Sequence, residues 1–161
     1  MQTPNDFRTL ADRVEIAALP GEFTDAVMVR DFDRLASLFT EDAVLSIPAA
    51  GIVVRGGDVR TRMRTMQDAW EYFIQHTHPG AIEIDGDTAT GRAHICELGK
   101  LKTGAAHVNY AIYHDTYRRT SDGWKFTERV YEIRYLDSSP LAGGPLEANG
   151  LAITPEQLHA R

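Results

Sequence analysis

Two hydrophobic periods divide this chain. Apolar residues recur every three or four positions in its first part and every second position after that. Across residues 10–30, Ile16, Leu19, Phe23 and Val27 fall at helical spacing, with Met28 beside the last of them. Pro20 and Gly21 sit mid-segment and predict a kink or split, because an interior proline removes a donor and crowds the preceding turn. Asp31 is placed to cap a second helix whose apolar face is Phe32, Leu35, Leu38 and Phe39. Short strands are predicted at 43–47 and 52–54, on either side of Pro48 and Gly51. A third helix opens at Gly57 and Asp58 and runs to about Tyr72.

Alternation then takes over. Strands are predicted at 76–84 and 88–98, with Asp85, Gly86 and Asp87 as the hairpin signal between them. The longest pair is 107–119 and 124–135, reversed at Ser121, Asp122 and Gly123. Side chains alternate across a strand, so His107, Asn109, Ala111, Tyr113 and Asp115 share one face. On the return strand Thr127, Arg129, Tyr131, Ile133 and Tyr135 share one face. Polar groups set among apolar ones in this way suit a ligand pocket better than a plain core. The opposite face, with Val108, Tyr110, Ile112, Phe126 and Val130, is expected to be an exposed apolar surface and hence an oligomer interface. From Ser138 the tail reads as irregular, with a short helix after Thr154 and Pro155. Helices first and strands after is an α+β pattern. The expected architecture is a cone-shaped, strongly curved antiparallel sheet with about three helices covering one face. It forms a single domain over 1–161, with its core at 8–136 and an irregular tail at 137–161.

Charge and composition narrow the chemistry. The net charge is −6 with no basic stripe, which argues against a nucleic-acid partner. Arg60, Arg62 and Arg64 lie between Asp58 and Asp68 and read as a solvated helix face. Cys96 is the single cysteine, so no internal disulfide forms, and no Cys/His spacing suggests zinc. His78, His94, His107 and His114 alternate in facing on different strands, so no metal or other cofactor is expected. No apolar signal core or membrane-length run is present, which predicts a cytoplasmic protein without membrane contact.

Several segments in order carry a resemblance: Leu10 to Arg13 with Ile16, Arg30 to Leu35, Leu38 to Ala43, His76 ahead of Ile82 to Asp87, and Tyr113 to Asp115 through Gly123 and Trp124 to Arg129. Over about residues 8–136 the chain resembles the SnoaL-like branch of the nuclear-transport-factor-like superfamily. That branch includes scytalone dehydratase, bile-acid dehydratases, hexachlorocyclohexane dehydrochlorinase and polyketide cyclases. The resemblance implies a dehydratase- or cyclase-type lyase or isomerase, working without a cofactor on a cyclic or aromatic substrate in an apolar pocket. It puts His76 at the general-base position, a task that imidazole suits near neutral pH. It puts Arg129 where departing negative charge is stabilised, and Tyr113 in the pocket wall. Tyr113 or Asn109 would orient a substrate oxygen, and Phe23, Val27, Met28, Asn109, Ala111 and Tyr131 would contact the substrate.

One position departs from the pattern. The family's partner carboxylate falls at Met28, and a thioether cannot orient an imidazole. On the same helix Asp25 lies about 60° and Glu22 about 120° from it. Asp115, on the pocket strand, is the better substitute, unless it serves as the buried partner of Arg129. The fold also hosts non-catalytic binders and assembly modules such as the β subunits of ring-hydroxylating dioxygenases, and both stand as alternatives. Related proteins imply a homodimer or homotrimer.

Overall fold

A computed structural model describes residues 7–144. The first helix, α1 (Phe7–Met28), buries Ile16, Leu19, Phe23, Ala26 and Val27 along one side. It runs unbroken through Pro20, so the predicted split is absent. An interior proline costs roughly 3 kcal/mol. Each large apolar side chain buried on either side of it returns about 1.5–3 kcal/mol, so packing decides the outcome. Asp31 caps α2 (Phe32–Ser37) by accepting the Arg34 backbone N–H at 3.0 Å.

The chain then enters the sheet with β1 (Phe39–Ile47) and β2 (Ile52–Arg55) before α3 (Val59–Asp68). The third helix stops short of Tyr72, because Trp70 already opens β3 (Trp70–Asp85). The run of Trp70, Tyr72, Phe73 and Ile74 favours a pleated surface over a helix. Three long strands follow: β4 (Thr88–Leu101), β5 (Ala106–Thr120) and β6 (Gly123–Asp137). At the β3–β4 reversal Gly86 takes φ 59°, the left-handed conformation that a tight turn asks of glycine.

The six strands form one sheet in the order β2-β1-β6-β5-β4-β3, antiparallel throughout except for the parallel β1–β6 pair. This is the expected α+β architecture of three helices and a curled sheet. The inner face of the sheet packs on α1, which lies against β3 and β6.

Two bulges in β6 change which of its residues face inward. Tyr117 pairs with Phe126 and Thr116 with Glu128, leaving Thr127 extra; Ala111 pairs with Ile133 and Tyr110 with Tyr135, leaving Arg134 extra. Each extra residue flips the strand's phase. Phe126, expected on the outer face, is therefore fully buried, and Trp124, Arg129 and Tyr131 are buried with it. Thr127 is half-buried and Tyr135 is exposed, so neither belongs to the inner face as the plain alternation predicts. The helix expected after Thr154 lies outside the described residues. Among the described residues no helix is long and apolar enough to cross a membrane.

Candidate functional site

Between α1, α3 and the inner face of the sheet lies a cavity of about 310 Å³. Its walls are apolar: Phe23 and Val27 from α1, Met63 and Met66 from α3, Trp70 and Phe73 from β3. One end is polar and gathers Gln75, Glu97, His107, Asn109, Tyr113 and Tyr131. Strand register explains the gathering, since Glu97 stands directly opposite Asn109, and Tyr113 opposite Tyr131.

Glu97 is the hub. Its Oε1 accepts from Asn109 Nδ2 and from the Tyr131 hydroxyl, each at 2.7 Å. Its Oε2 accepts from Gln75 Nε2 at 2.9 Å. His107 Nε2 stands 3.6 Å from Oε1, farther than a hydrogen bond reaches. Burial alone would raise this carboxyl, but the polar groups around it (His107, Gln75, Tyr131 and Asn109) outweigh burial and hold it below the ordinary carboxylate value. Glu97 is therefore an anion at neutral pH. Tyr131, pushed up by burial and then by the Glu97 charge, stays a neutral phenol. Its single proton is shared between Glu97 Oε1 and Asn109 Oδ1, both 2.7 Å away.

The surrounding residues fix this hub. Gln75 Oε1 accepts from the Thr24 hydroxyl at 2.9 Å, and Thr24 in turn meets Thr77. Gly99 makes room on the other side: a Cβ there would stand 3.0 Å from Trp70 ring atoms. Trp70 uses that space to pack edge-on against His107, with ring centroids 5.0 Å apart. His107 Nε2 is shielded from solvent and has no hydrogen-bond partner among the described residues. Tyr113 accepts from Gln75 Nε2 at 3.3 Å, and among the described residues no acceptor takes its own phenolic hydrogen.

A second buried cluster lies behind Tyr113. Arg129 pairs with Asp115 through Nε–Oδ1 at 2.8 Å and Nη2–Oδ2 at 2.7 Å, and both side chains are fully buried. The Tyr117 hydroxyl donates to Asp115 Oδ2 at 3.0 Å. Around the guanidinium lie the rings of Tyr113, Phe126 and Phe23, at 3.9, 4.0 and 4.4 Å from ring centroid to Cζ. Neither Arg129 nor Asp115 reaches the cavity.

Of the residues expected at the site, Phe23, Val27, Asn109, Tyr113 and Tyr131 do line the cavity, and Ala111 is buried outside its wall. His76 is on the other side of the sheet. It is exposed, pairs with Cys96, and does not border the cavity. The strand's inward residue is Gln75, whose backbone N–H donates to Met28 Sδ at 3.2 Å. Met28 is 38% exposed and sits beside Gln75 rather than in the cavity wall. Asp25 and Glu22, the other helix carboxylates, both bind Arg34 at the surface. Asp115 serves Arg129 rather than any histidine.

Glu97 and Gln75 were missed as site residues. The signal for Glu97 was present: it shares a strand face with Ala89, Ala93 and Ile95, an otherwise apolar set. Among the described residues no group of three or more His, Cys, Asp or Glu side chains could hold a metal ion.

Residues 8–130 match the family described as the SnoaL-like domain. The chain belongs to the SnoaL-like family. It is 29% identical over 144 residues to the gamma-hexachlorocyclohexane dehydrochlorinase of Sphingobium indicum, covering 86% of this chain and 90% of that enzyme. It is also 29% identical over 125 residues to an uncharacterized protein of Mycobacterium tuberculosis, covering 75% and 84% of the two chains. A type 2 hexachlorocyclohexane dehydrochlorinase of known structure superposes with a TM-score of 0.77 at 25% identity, covering 91% of this chain and 100% of the other.

Proposed function

We propose that this SnoaL-like protein carries out lyase or isomerase chemistry on an uncharged cyclic or aromatic small molecule held in the cavity. The observation that carries the reading is the cavity itself, apolar along its walls and closed at one end by an ionised carboxylate. Among the described residues no arginine or lysine lines it. An anionic ligand would meet the Glu97 carboxylate with no arginine or lysine beside it, which favours neutral rings over carboxylates. The likeness to a dehydrochlorinase over most of its length supports the reaction class. His76, the acid/base that the resemblance implies, takes no part in this scheme; proton transfer rests on the polar end of the cavity.

A second reading has its own observation. Met28, where the resemblance implies the partner carboxylate, lies beside Gln75 instead of His76, and neither of these side chains is an acid or a base. That favours a non-catalytic binder of the same class of ligand. Saturation-transfer NMR with 2-naphthol tests what the two readings share, and Val27→Trp, which fills the cavity, should weaken binding at least about tenfold. Failure of 2-naphthol and other neutral bicyclic compounds to bind would contradict both. Binding without turnover of any ring substrate bearing a leaving group would leave the binder.

We also propose that the outer sheet face, where Tyr110 and Tyr135 are more than half exposed and Ile74 somewhat less, joins copies of the chain into a homodimer or homotrimer. Light scattering should give a multiple of 17.9 kDa. Tyr110→Glu should return the monomer mass.

A further inference from the structure

We propose that His78 and His94 form a two-imidazole site for a zinc ion on the outer face of the sheet, and that the same pair from a second copy of the chain completes its coordination. The inference lies apart from the cavity. It rests on the outer-face assembly proposed above and narrows it to a homodimer.

Strand register makes the site. Expected on alternating faces of different strands, the two histidines are direct partners across the β3–β4 pair. Residues directly opposite on antiparallel strands share a face, with Cβ atoms about 4.5–5.5 Å apart. Their sequence neighbours show which face this is: Ala93 and Ile95 are buried and Thr77 is half-buried, whereas both histidines are exposed. At that separation two imidazole nitrogens can reach one ion at the roughly 2.0–2.1 Å of a zinc–nitrogen bond.

Both rings are uncommitted. His107 stands near Glu97 and His114 bonds to Glu132, but among the described residues His78 and His94 have no hydrogen-bond or ion-pair partner. Imidazole suits zinc, while magnesium and calcium ask for oxygen ligands. Within one chain, among the described residues, no third ligand joins the pair. The neighbouring row, His76 with Cys96, lies two residues along each strand, roughly 7 Å away. A structural zinc ion takes four protein ligands, and two pairs related by a two-fold axis supply them.

The surroundings point to a second copy as the source of the missing ligands. The row beside the pair runs from His76 through Cys96 and Tyr110 to Tyr135, across four strands. It carries the exposed tyrosines of the proposed interface up to the histidine pair. β3 is an edge strand, so the pair sits at the rim of that face. Each chain carries a net charge of −6, and a divalent cation between two copies lowers their repulsion.

The test is titration calorimetry and light scattering of the full chain with Zn²⁺ after EDTA treatment. Zinc should bind at one ion per two chains and tighten the dimer by about 5–150-fold, the usual span of coupling between two binding events. His78→Ala and His94→Ala are surface changes that leave the fold intact. Each should abolish the zinc effect while keeping the mass seen in EDTA. His76→Ala should retain the effect, and Mg²⁺ should not reproduce it. One zinc ion bound per chain without a change in mass, or undiminished binding in the double variant H78A/H94A, overturns the proposal. A trimer in EDTA, or a dimer that zinc neither binds nor tightens, overturns it and leaves the outer-face assembly standing. A chain that stays monomeric with and without zinc overturns both.

Discussion

Two polar clusters share the inner face of this sheet, and only one of them lines the large apolar cavity. Asp115 and Arg129 form the stronger pair, bidentate and fully buried. Glu97 and His107 form the looser one, 3.6 Å apart. Tyr113 divides them, with its ring on the Arg129 guanidinium and its hydroxyl toward the cavity. What separates the two is the covering. Phe23, Phe126 and Tyr113 close over the arginine and leave no room for a reactant. Trp70, Phe73 and the α3 methionines stand back from Glu97 and leave a cavity. A buried ion pair is therefore no marker of reactivity by itself, because its geometry can be spent entirely on holding strands together.

The largest effect should come from breaking the sealed pair. Asp115→Ala leaves a buried guanidinium without its counter-ion, which costs about 3–5 kcal/mol. For a chain of this size that lowers the melting temperature by roughly 10 °C. Calorimetry checks it, and an unchanged melting temperature would show that the cluster is not closed to water. Next in size, Gly99→Ala pushes a methyl group against Trp70 and should cost about 1–3 kcal/mol. It should also weaken 2-naphthol binding, which Asp115→Ala should not do in the fraction that stays folded.

Glu97 offers a finer test through pH. Its folded-state carboxyl is depressed below 4.5, so it contributes stability that is fully present above that value. As pH falls through the still lower folded value, the contribution is lost. Glu97→Gln should thus be less stable than wild type at neutral pH by about 1–3 kcal/mol, with the gap closing as pH drops below 4.5. Urea titrations from pH 7 to pH 3 read this directly, and a gap that widens on acidification would mean that the carboxyl is buried neutral. The smallest effect belongs to His76→Ala, which should alter neither stability beyond about 0.5 kcal/mol nor ligand binding.

The fold was legible because the change from helical to strand period coincides with the change in architecture, and β5 alternates without interruption from Asn109 to Tyr117. The site was only half legible. Asn109 and Tyr113 follow from that alternation, and Tyr131 fell on its predicted face by phase. Phe126 and Tyr135 did not, because each bulge in β6 adds one residue that no local propensity announces. In β3 the difficulty was of another kind. Phe73, Gln75 and Thr77 alternate with Ile74, His76 and His78, and both sets mix one apolar residue with two polar ones. Nothing local says which set faces α1, and a one-residue shift exchanges Gln75 for His76. Packing settles it, through the Met28 thioether and the Thr24 hydroxyl that Gln75 meets.

The central claim is that small molecules bind in the cavity closed by Glu97, and not beside His76 or at the Arg129 pair. A crystal structure of the protein soaked with 2-naphthol tests it most directly. The account predicts the bicyclic ring between Phe23, Met63 and Trp70, with its oxygen within hydrogen-bond distance of the Tyr113 hydroxyl. 2-Naphthol seated on the outer face beside His76, or in the cavity with its oxygen turned away from Tyr113, would contradict it.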